Sequence, residues 1–203
     1  YAKTQPLDEY REQRRGGQGK AAASVKEEDL IQNLYVLSSH VQILCFTTKG
    51  KVFWLKVYEI PVASRISKGR PLVNMLNLDD DESVSEILPV DEFSDDKYIF
   101  MATRKGTTKK TNLSLFAKKY KSGIKAINLD DDDVLIGTAI TSGEDEILLA
   151  SSSGKLIRFS ESHVRPMGRT ARGVRGIKLK KGEKLISLML GDPSKTILCV
   201  SEN

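Results

Sequence analysis

The chain has 203 residues, with 32 Lys and Arg against 27 Asp and Glu, for a formal net charge of +5. It has no apolar run near the roughly 18 residues of a membrane span, and its polar, basic N-terminus lacks a hydrophobic signal core, which predicts a cytoplasmic protein without membrane contact. Two cysteines, Cys45 and Cys199, are too few for a disulfide framework and lack the spacing of a zinc site.

The first residues with a distinctive pattern follow a polar stretch, residues 1–12, that we interpret as a linker. Three glycines and two arginines occur close together here, so the backbone can approach a phosphate while guanidinium groups supply forked donors. The alternative is a flexible Gly-rich tail. The candidate DNA-binding residues of this loop are Gln13, Arg14, Arg15, Gly16, Gly17, Gln18, Gly19 and Lys20.

An incomplete first repeat unit comes next. Residues 16–24 take the place of a third strand in the repeat described below, and residues 30–37 take the place of a fourth. The segment 24–33 has an alternative interpretation as a helix, which the repeat frame does not favour.

A repeat of about 50 residues then organises the chain. Residues 43–50, 99–106 and 147–154 each contain four apolar residues, a hydroxyl residue, two turn residues and a glycine, and a partial fourth copy starts at Ile197. Cys45 and Cys199 fall at the same position of this pattern, so both are predicted to be core residues.

Each unit is predicted to contain four strands. The apolar run and the alternating run after its glycine form a hairpin, and a second strand pair follows Gly69, Gly123 or Gly173. We predict those pairs at residues 72–78 with 84–90, 124–129 with 134–140, and 174–179 with 185–190. An all-β, propeller-like array of four-stranded blades in one domain follows, either truncated or open, because a closed ring needs more blades.

Basic residues gather in the half of each unit that runs from the hairpin to the following glycine, including the hairpin turns, whereas acids gather around residues 79–96 and 130–146. Since a periodic fold places equivalent loops on one edge, we expect a basic edge that binds DNA phosphates and an acidic edge that faces away. Replacing residues 130–133 with Asn should then leave the fold intact. The candidate DNA-binding residues here are Arg65, Lys68, Arg70, Lys118, Lys119, Lys121, Arg165, Arg169, Arg172 and Arg175.

Residues 13–19 closely match the heptapeptide Gln-Arg-Arg-Gly-Gly-(basic)-Gly of the DNA gyrase A C-terminal domain, with Gln18 in place of the usual base. The segments 60–65 and 68–74 also resemble that family's repeats, so the resemblance covers the whole chain. It implies a β-pinwheel fold, which periodicity cannot distinguish from a propeller. It also implies that the domain wraps double-stranded DNA for negative supercoiling and works with the rest of the gyrase A protein and with the gyrase B protein near the nucleoid.

Catalysis is expected to lie outside this chain, which has neither an Arg-Tyr pair for DNA cleavage nor an ATP loop. No catalytic residue, metal site or cofactor is therefore predicted here, and the resemblance assigns ATP and Mg to other parts of the enzyme. Two alternatives stay open: the related C-terminal domain of topoisomerase IV, and a propeller-type module that binds proteins.

Overall fold

The computed structural model describes residues 1–10, 15–17 and 31–200. Within these ranges the regular structure consists of β-strands and short 3-10 turns, and no helix is long and apolar enough to span a bilayer. The strands in chain order are β1 (Gln42–Thr47), β2 (Lys51–Lys56), β3 (Val84–Val90), β4 (Tyr98–Thr103), β5 (Thr107–Asn112), β6 (Ile124–Lys125), β7 (Leu135–Thr141), β8 (Glu146–Ser151), β9 (Leu156–Ser160), β10 (Val174–Arg175) and β11 (Leu185–Leu190). The 3-10 turns are Leu7–Glu9, Val57–Glu59, Leu72–Asn74, Leu113–Phe116 and Glu161–His163.

Three antiparallel sheets stand side by side, each built on a predicted hairpin. The first sheet has the order β3-β1-β2-β6, the second β10-β5-β4-β7, and the third β11-β8-β9. Gly50 and Gly106 have φ angles of +71° and +86° in the hairpin turns, a conformation that favours glycine. The predicted fourth strands are β3, β7 and β11, and β7 contacts both of the others, so these are the inner strands. The all-β class and the repeat are confirmed.

The outer strand of the first two sheets comes from the following repeat, which corrects the predicted second strand pair. In the first sheet β6 pairs with β2, opposite Lys51 and Val52, and in the second β10 pairs with β5. This exchange is the altered connection of a β-pinwheel. Residues 72–78 contain a 3-10 turn in place of the predicted strand.

Three connections lead away from the second hairpin strands: residues 57–70, 113–123 and 161–173, which we call the first, second and third rim connections. Residues 2–4 contact the first connection through bridges at Val62 and Arg70. Residues 108–110 contact the third in the same way, through Pro166 and β10. Residues 2–4 thus hold the place of an outer hairpin strand, and the predicted linker is not a free tether there.

Two predicted strands at the ends of the repeat are not formed. Residues 31–37 have no regular structure and are mostly exposed, and residues 192–200 are exposed without strand pairing. Cys199 is therefore exposed and the core prediction for it is wrong, since no strand of the described residues pairs with residues 192–200. Cys45 is fully buried as predicted, and burial raises the pKa of its thiol to about 12.

The hydrophobic core lies between neighbouring sheets. Leu44 and Phe46 of β1 pack with Met101 of β4, and with Phe116 of the second rim connection. Alternate β1 residues, including Cys45, face a second cluster beside the first rim connection. Burial on both faces explains why the first strand of each hairpin contains a continuous apolar run.

Candidate nucleic-acid interface

The rim connections lie along the outer perimeter, on the side of the sheets opposite the inner strands. The second connection covers the first sheet, where the Trp54 Nε1–H donates to the carbonyl of Phe116 at 2.8 Å. The third covers the second sheet, where the N–H of Met167 donates to the carbonyl of Lys110 at 2.8 Å. The second and third rim connections therefore each cover the boundary between their own sheet and the preceding sheet.

Glycine is required where two of these connections cross the edge of the underlying strand. Gly69 and Gly173 have φ angles of +84° and +103°, and a Cβ on either would lie 2.4 Å from a carbonyl oxygen, of Ala2 or Thr108 respectively. A side chain at either position would displace the connection. The residues before these glycines therefore have a fixed path over the perimeter.

The structure brings most of the candidate DNA-binding residues to this perimeter. All of the ten candidates beyond residue 60 lie on the rim connections, except Arg175, which lies in β10 just after the third. The exposed ones are Lys68, Arg70, Lys118, Lys119, Lys121, Arg165, Arg172 and Arg175, and the half-buried ones are Arg65 and Arg169. Aromatic rings flank two of these bases: the Lys118 ammonium lies 5.5 Å from the ring centre of Tyr120, and that of Lys68 lies 5.6 Å from Tyr1.

The N-terminal glycine-rich loop is described in part. Arg15, Gly16 and Gly17 are exposed, and Gly16 has a φ of +88°, close to that of Gly69. Both glycines thus adopt the left-handed conformation within a basic segment. The other candidates of this loop lie outside the described residues: Gln13, Arg14, Gln18, Gly19 and Lys20.

Acids of the turn that follows hold the two lysines of the first hairpin turn. Lys51 pairs with Asp79 at 2.8 Å and with Glu82 at 3.4 Å, and Lys49 hydrogen bonds to Asp81. The hydrogen bond from Lys49 lowers the pKa of Asp81, and that from Lys51 lowers the pKa of Asp79. These lysines are thereby neutralised locally.

The other two hairpin turns also contact the acidic turn that follows them. Arg104 donates to the carbonyl of Asp132 at 2.8 Å, and the N–H of Lys105 donates to the Asp133 carboxylate at 2.9 Å. Lys155 lies 3.6 Å from Glu183. The prediction that all bases of a repeat share one edge is therefore wrong for the hairpin turns.

The predicted single acidic edge is also wrong. Asp79–Glu82 precede β3 and Asp91–Asp96 follow it, so the two groups lie at opposite ends of a seven-residue strand, about 20 Å apart. The same holds for Asp130–Asp133 and Glu144–Glu146 on either side of β7. The acids thus flank the sheets at both ends, and the exposed rim bases lie between them on the outer side.

Two lysines of β5 that the sequence placed in the basic half are buried. Lys110 pairs with the buried Glu161 at 3.6 Å, and the carboxylate of Glu161 also accepts N–H bonds from Gly143 and Asp145 at 2.7 and 2.9 Å. Lys109 is fully buried as well. The signal for this was available in the repeat, since Lys109 and Lys110 align with Phe53 and Trp54 of β2.

No group of three or more potential metal ligands occurs within the described part of the chain. His40 and His163 are exposed there, and His40 contacts the ring of Tyr58 with 6.2 Å between ring centres. The exposed bases of the perimeter are thus the chemistry that this surface offers, and they suit a polyanion.

Comparison with known proteins agrees with the fold and the repeat. The family model described as "DNA gyrase C-terminal domain, beta-propeller" matches residues 1–38, 42–91, 97–142 and 145–191. These four matches follow the incomplete first unit and the three sheets.

Curated relatives cover the whole chain. It is 51% identical over 203 residues to the DNA gyrase A protein of Salmonella typhimurium strain LT2, and 50% identical to that of Escherichia coli K12. It is 44% identical over 245 residues to the gyrase A protein of Pseudomonas aeruginosa. The chain spans 23% of the length of the first two relatives.

Solved structures share the architecture. A topoisomerase IV C-terminal domain superposes with a TM-score of 0.77 at 29% identity, covering 84% of this chain and 53% of that one. A DNA gyrase A C-terminal domain superposes with a TM-score of 0.67 at 25% identity, covering 90% of this chain and 59% of that one. Both are relatives in which the same pinwheel sheets recur.

Proposed function

This chain belongs to the DNA gyrase A C-terminal domain family, and from that premise we propose that it binds duplex DNA along its perimeter and bends it. The observation that carries the proposal is a repeated base on the rim connections. Arg65, Lys119 and Arg169 each stand four residues before a glycine of their connection, which is Gly69, Gly123 or Gly173 respectively. Equivalent bases at successive sheets form a series of phosphate contacts with a common orientation.

The binding we propose is largely independent of DNA sequence. The rim bases lie on irregular connections over a β-fold, without a recognition helix to enter the major groove, so they contact phosphates. Preference between DNA sequences would then come from how easily each duplex bends. A polyanion that follows the series from sheet to sheet must curve with the perimeter.

Within the longer protein we propose that this chain acts as a part of gyrase A and works with the gyrase B protein. DNA held on the perimeter would be presented to cleavage and strand-passage residues elsewhere, which use ATP and Mg, so that the enzyme introduces negative supercoils. That role places the protein in the bacterial cytoplasm, at the nucleoid. We propose that this chain binds and bends the DNA and takes no part in breaking or joining its strands.

Gyrase is a better assignment than topoisomerase IV, although the topoisomerase IV domain gives the higher TM-score. Identity of about half over the full chain links it to gyrase A proteins, and 29% links it to the topoisomerase IV structure. Residues 13–19 also support gyrase. Replacing those residues with alanine in the full-length protein is expected to abolish negative supercoiling and leave DNA relaxation intact; normal supercoiling would contradict this assignment.

The DNA-binding proposal is tested by the salt dependence of affinity for a duplex of mixed sequence. The logarithm of the binding constant should fall linearly with the logarithm of salt concentration, by about 0.9 for each phosphate neutralised. A protein-interaction module would give weak binding with little slope. Two duplexes of unrelated sequence and equal length provide the control, and their affinities should agree within about threefold.

Bending is tested separately from binding. Nicked circular DNA is incubated with the chain and religated, and the linking number of the products is compared with that of circles ligated alone. A shift that grows with protein concentration supports wrapping, because a wrapped duplex traps writhe. Binding without a shift would limit the proposed role of this chain to attachment.

A further inference from the structure

The ammonium group of Lys109 is enclosed by the backbone of the third rim connection. Its side chain has no exposed surface, and Nζ donates to the carbonyl of Ala126 at 2.6 Å and to the carbonyl of Arg169. Ala126 follows β6, and Arg169 is the repeated base of the connection. Lys109 therefore joins β5, the strand exchanged into the first sheet, and the backbone that carries Arg169.

Lys3 forms the same arrangement in the first rim connection. Its Nζ donates to the carbonyls of Ser64, Arg65 and Ser67 at 3.0, 2.9 and 2.8 Å. Residues 2–4 hold the strand position that residues 108–110 hold in the second sheet. At both boundaries a lysine in the outer hairpin strand position thus donates a hydrogen bond to the carbonyl of the repeated base, Arg65 or Arg169.

The second rim connection shows that a lysine is not needed simply to fill this position. Phe53 stands there, because it faces Cys45 in β1 as Lys109 faces Met101 in β4. Its ring lies 2.7 Å from where a Cβ on Gly123 would be, so this connection is held by aromatic packing. An apolar side chain at this position is therefore compatible with the fold. The need to fill the space does not by itself account for the lysines at the other two boundaries.

Burying an ammonium is unfavourable unless it is well hydrogen bonded. The bonds that Nζ donates to two carbonyls offset that cost in part, and they fix the path of the backbone that carries those carbonyls. We propose that Lys109, and Lys3 at the equivalent boundary, are positioning residues for DNA binding, each holding a rim connection in the path from which Arg169 or Arg65 reaches a phosphate. This inference rests on the proposed function.

The pKa of Lys109 also depends on its contact with the third rim connection. Burial, with a smaller contribution from Arg169, lowers the pKa of Lys109 to about 8. Arg169 is the charged residue that the rim connection places against it; Lys125 beside Ala126 is exposed and bonds to Asn128, and Lys110 points to the other face, toward Glu161. When the connection opens, the ammonium returns to water and to its ordinary, higher pKa.

Limited trypsin cleavage tests the contact without DNA, because the carbonyl that Lys109 caps belongs to the Arg169–Thr170 bond. In Lys109→Met we expect cleavage of this bond to be about tenfold faster or more. Lys109→Arg, which keeps a charged donor, should restore at least part of the protection. Lys97→Met is the matched control, since it removes an equal charge from an exposed site off the rim.

DNA binding is measured on the same variants. Lys109→Met should lower affinity and reduce the salt slope by about 0.9, the loss of one phosphate contact, even though Lys109 itself is buried. Lys97→Met should leave the slope unchanged. Unaltered cleavage and slope in Lys109→Met would overturn the inference. Faster cleavage in a chain whose wild type fails to bind DNA would leave the loop contact standing and overturn the proposed function instead.

A pH series on the wild type keeps the test decisive if Lys109→Met does not fold. Above pH 8, opening of the connection requires proton uptake by Lys109, so opening should become rarer as pH rises toward 10, by up to about tenfold per unit. Cleavage after Arg169, divided by cleavage after Arg15 in the same digest, should fall accordingly. A constant ratio from pH 7 to pH 9.5 would contradict the coupling between Lys109 and the connection.

Discussion

The rim connections and the hairpin turns carry the same residue types in different electrostatic surroundings. Exposed bases such as Lys119 and Arg165 stand on the rim, whereas Lys49 and Lys51 in a hairpin turn are paired with Asp79, Asp81 and Glu82. Both groups occupy the basic half of the repeat. Position along the repeat therefore does not decide which bases are available to a polyanion. Pairing with acids of the neighbouring turn decides it.

The largest expected effect comes from the buried carboxylates that anchor the two regions. Glu161→Gln should lower the free energy of unfolding by about 3 kcal/mol, because Lys110 would keep a buried charge without its partner. Since Glu161 begins the third rim connection, DNA affinity should fall as well. Chemical denaturation and duplex binding measure the two effects.

Glu82→Gln is the counterpart in the hairpin-turn region. Glu82 is also buried, where it accepts from the hydroxyl of Thr47 and from the N–H of Asp79, but its ion-pair partner Lys51 is partly exposed and can be solvated. We expect a smaller loss, about 1 kcal/mol, and little change in DNA affinity. If Glu82→Gln reduced DNA affinity more than Glu161→Gln, the hairpin turns would belong to the DNA path.

The next effect is on binding alone. A rim triple variant, Lys118→Gln with Lys119→Gln and Lys121→Gln, should reduce the salt slope by about 2.7 and the affinity by more than about tenfold. A turn triple variant, Lys49→Gln with Lys51→Gln and Lys155→Gln, removes the same charge. Its slope should change by less than about one, because those lysines already have acidic counterions. Equal slopes for the two variants would remove the distinction between the regions.

Acids of the turn at residues 130–133 allow a finer comparison. Asp130 pairs with Arg172 of the rim at 2.8 Å, so Asp130→Asn should free that base and raise DNA affinity about twofold. Asp133 is buried and accepts N–H bonds from Lys105 and Val134 at 2.9 Å each. Asp133→Asn should therefore lower the free energy of unfolding by about 1 kcal/mol without raising affinity.

These contacts make Asp133 the aspartate whose replacement should cost stability, and the expectation that the fold survives replacement of all four stays a prediction. Thermal unfolding of the single variants, followed by duplex binding at one salt concentration, separates the two roles. A destabilised Asp130→Asn together with a fully stable Asp133→Asn would reverse the assignment.

The smallest effect should come from an exposed pair in the hairpin turns. The bond from Lys49 holds the pKa of Asp81 below its usual value, so the pair stabilises the fold above pH 4 and loses that contribution as pH falls through the lowered pKa. Asp81→Asn should slightly lower Tm at pH 7 and leave Tm unchanged near pH 2. A larger difference at pH 2 than at pH 7 would contradict this sign.

Much of the fold could be predicted from the sequence because its signals are local. Hairpins follow from apolar runs on either side of a turn glycine, and the inner strands from alternation, as at residues 84–90. The exchange of β6 into the first sheet could not be predicted, because its partner β2 is about 70 residues away and any exposed hairpin edge offers the same donors and acceptors.

The candidate site was predictable to a similar degree. Bases before Gly69 and Gly173 were identified because charge and turn signals coincide there, and the structure places them on the perimeter. Burial of Lys109 is indicated by its alignment with Phe53 in the repeat. Pairing of Lys49 with Asp81 depends on contacts between segments far apart in the chain, which composition does not encode. The same limit explains why the acids on either side of β3 were assigned to one edge.

The location of DNA on the perimeter is tested most directly by lysine acetylation with and without bound duplex, read residue by residue by mass spectrometry. Taking the ratio of the two rates at each lysine removes differences in intrinsic reactivity. Protection of Lys68, Lys118, Lys119 and Lys121, with Lys49, Lys51 and Lys155 reacting at unchanged rates, is the result we predict. Protection of the hairpin-turn lysines while the rim lysines stay reactive would contradict the account.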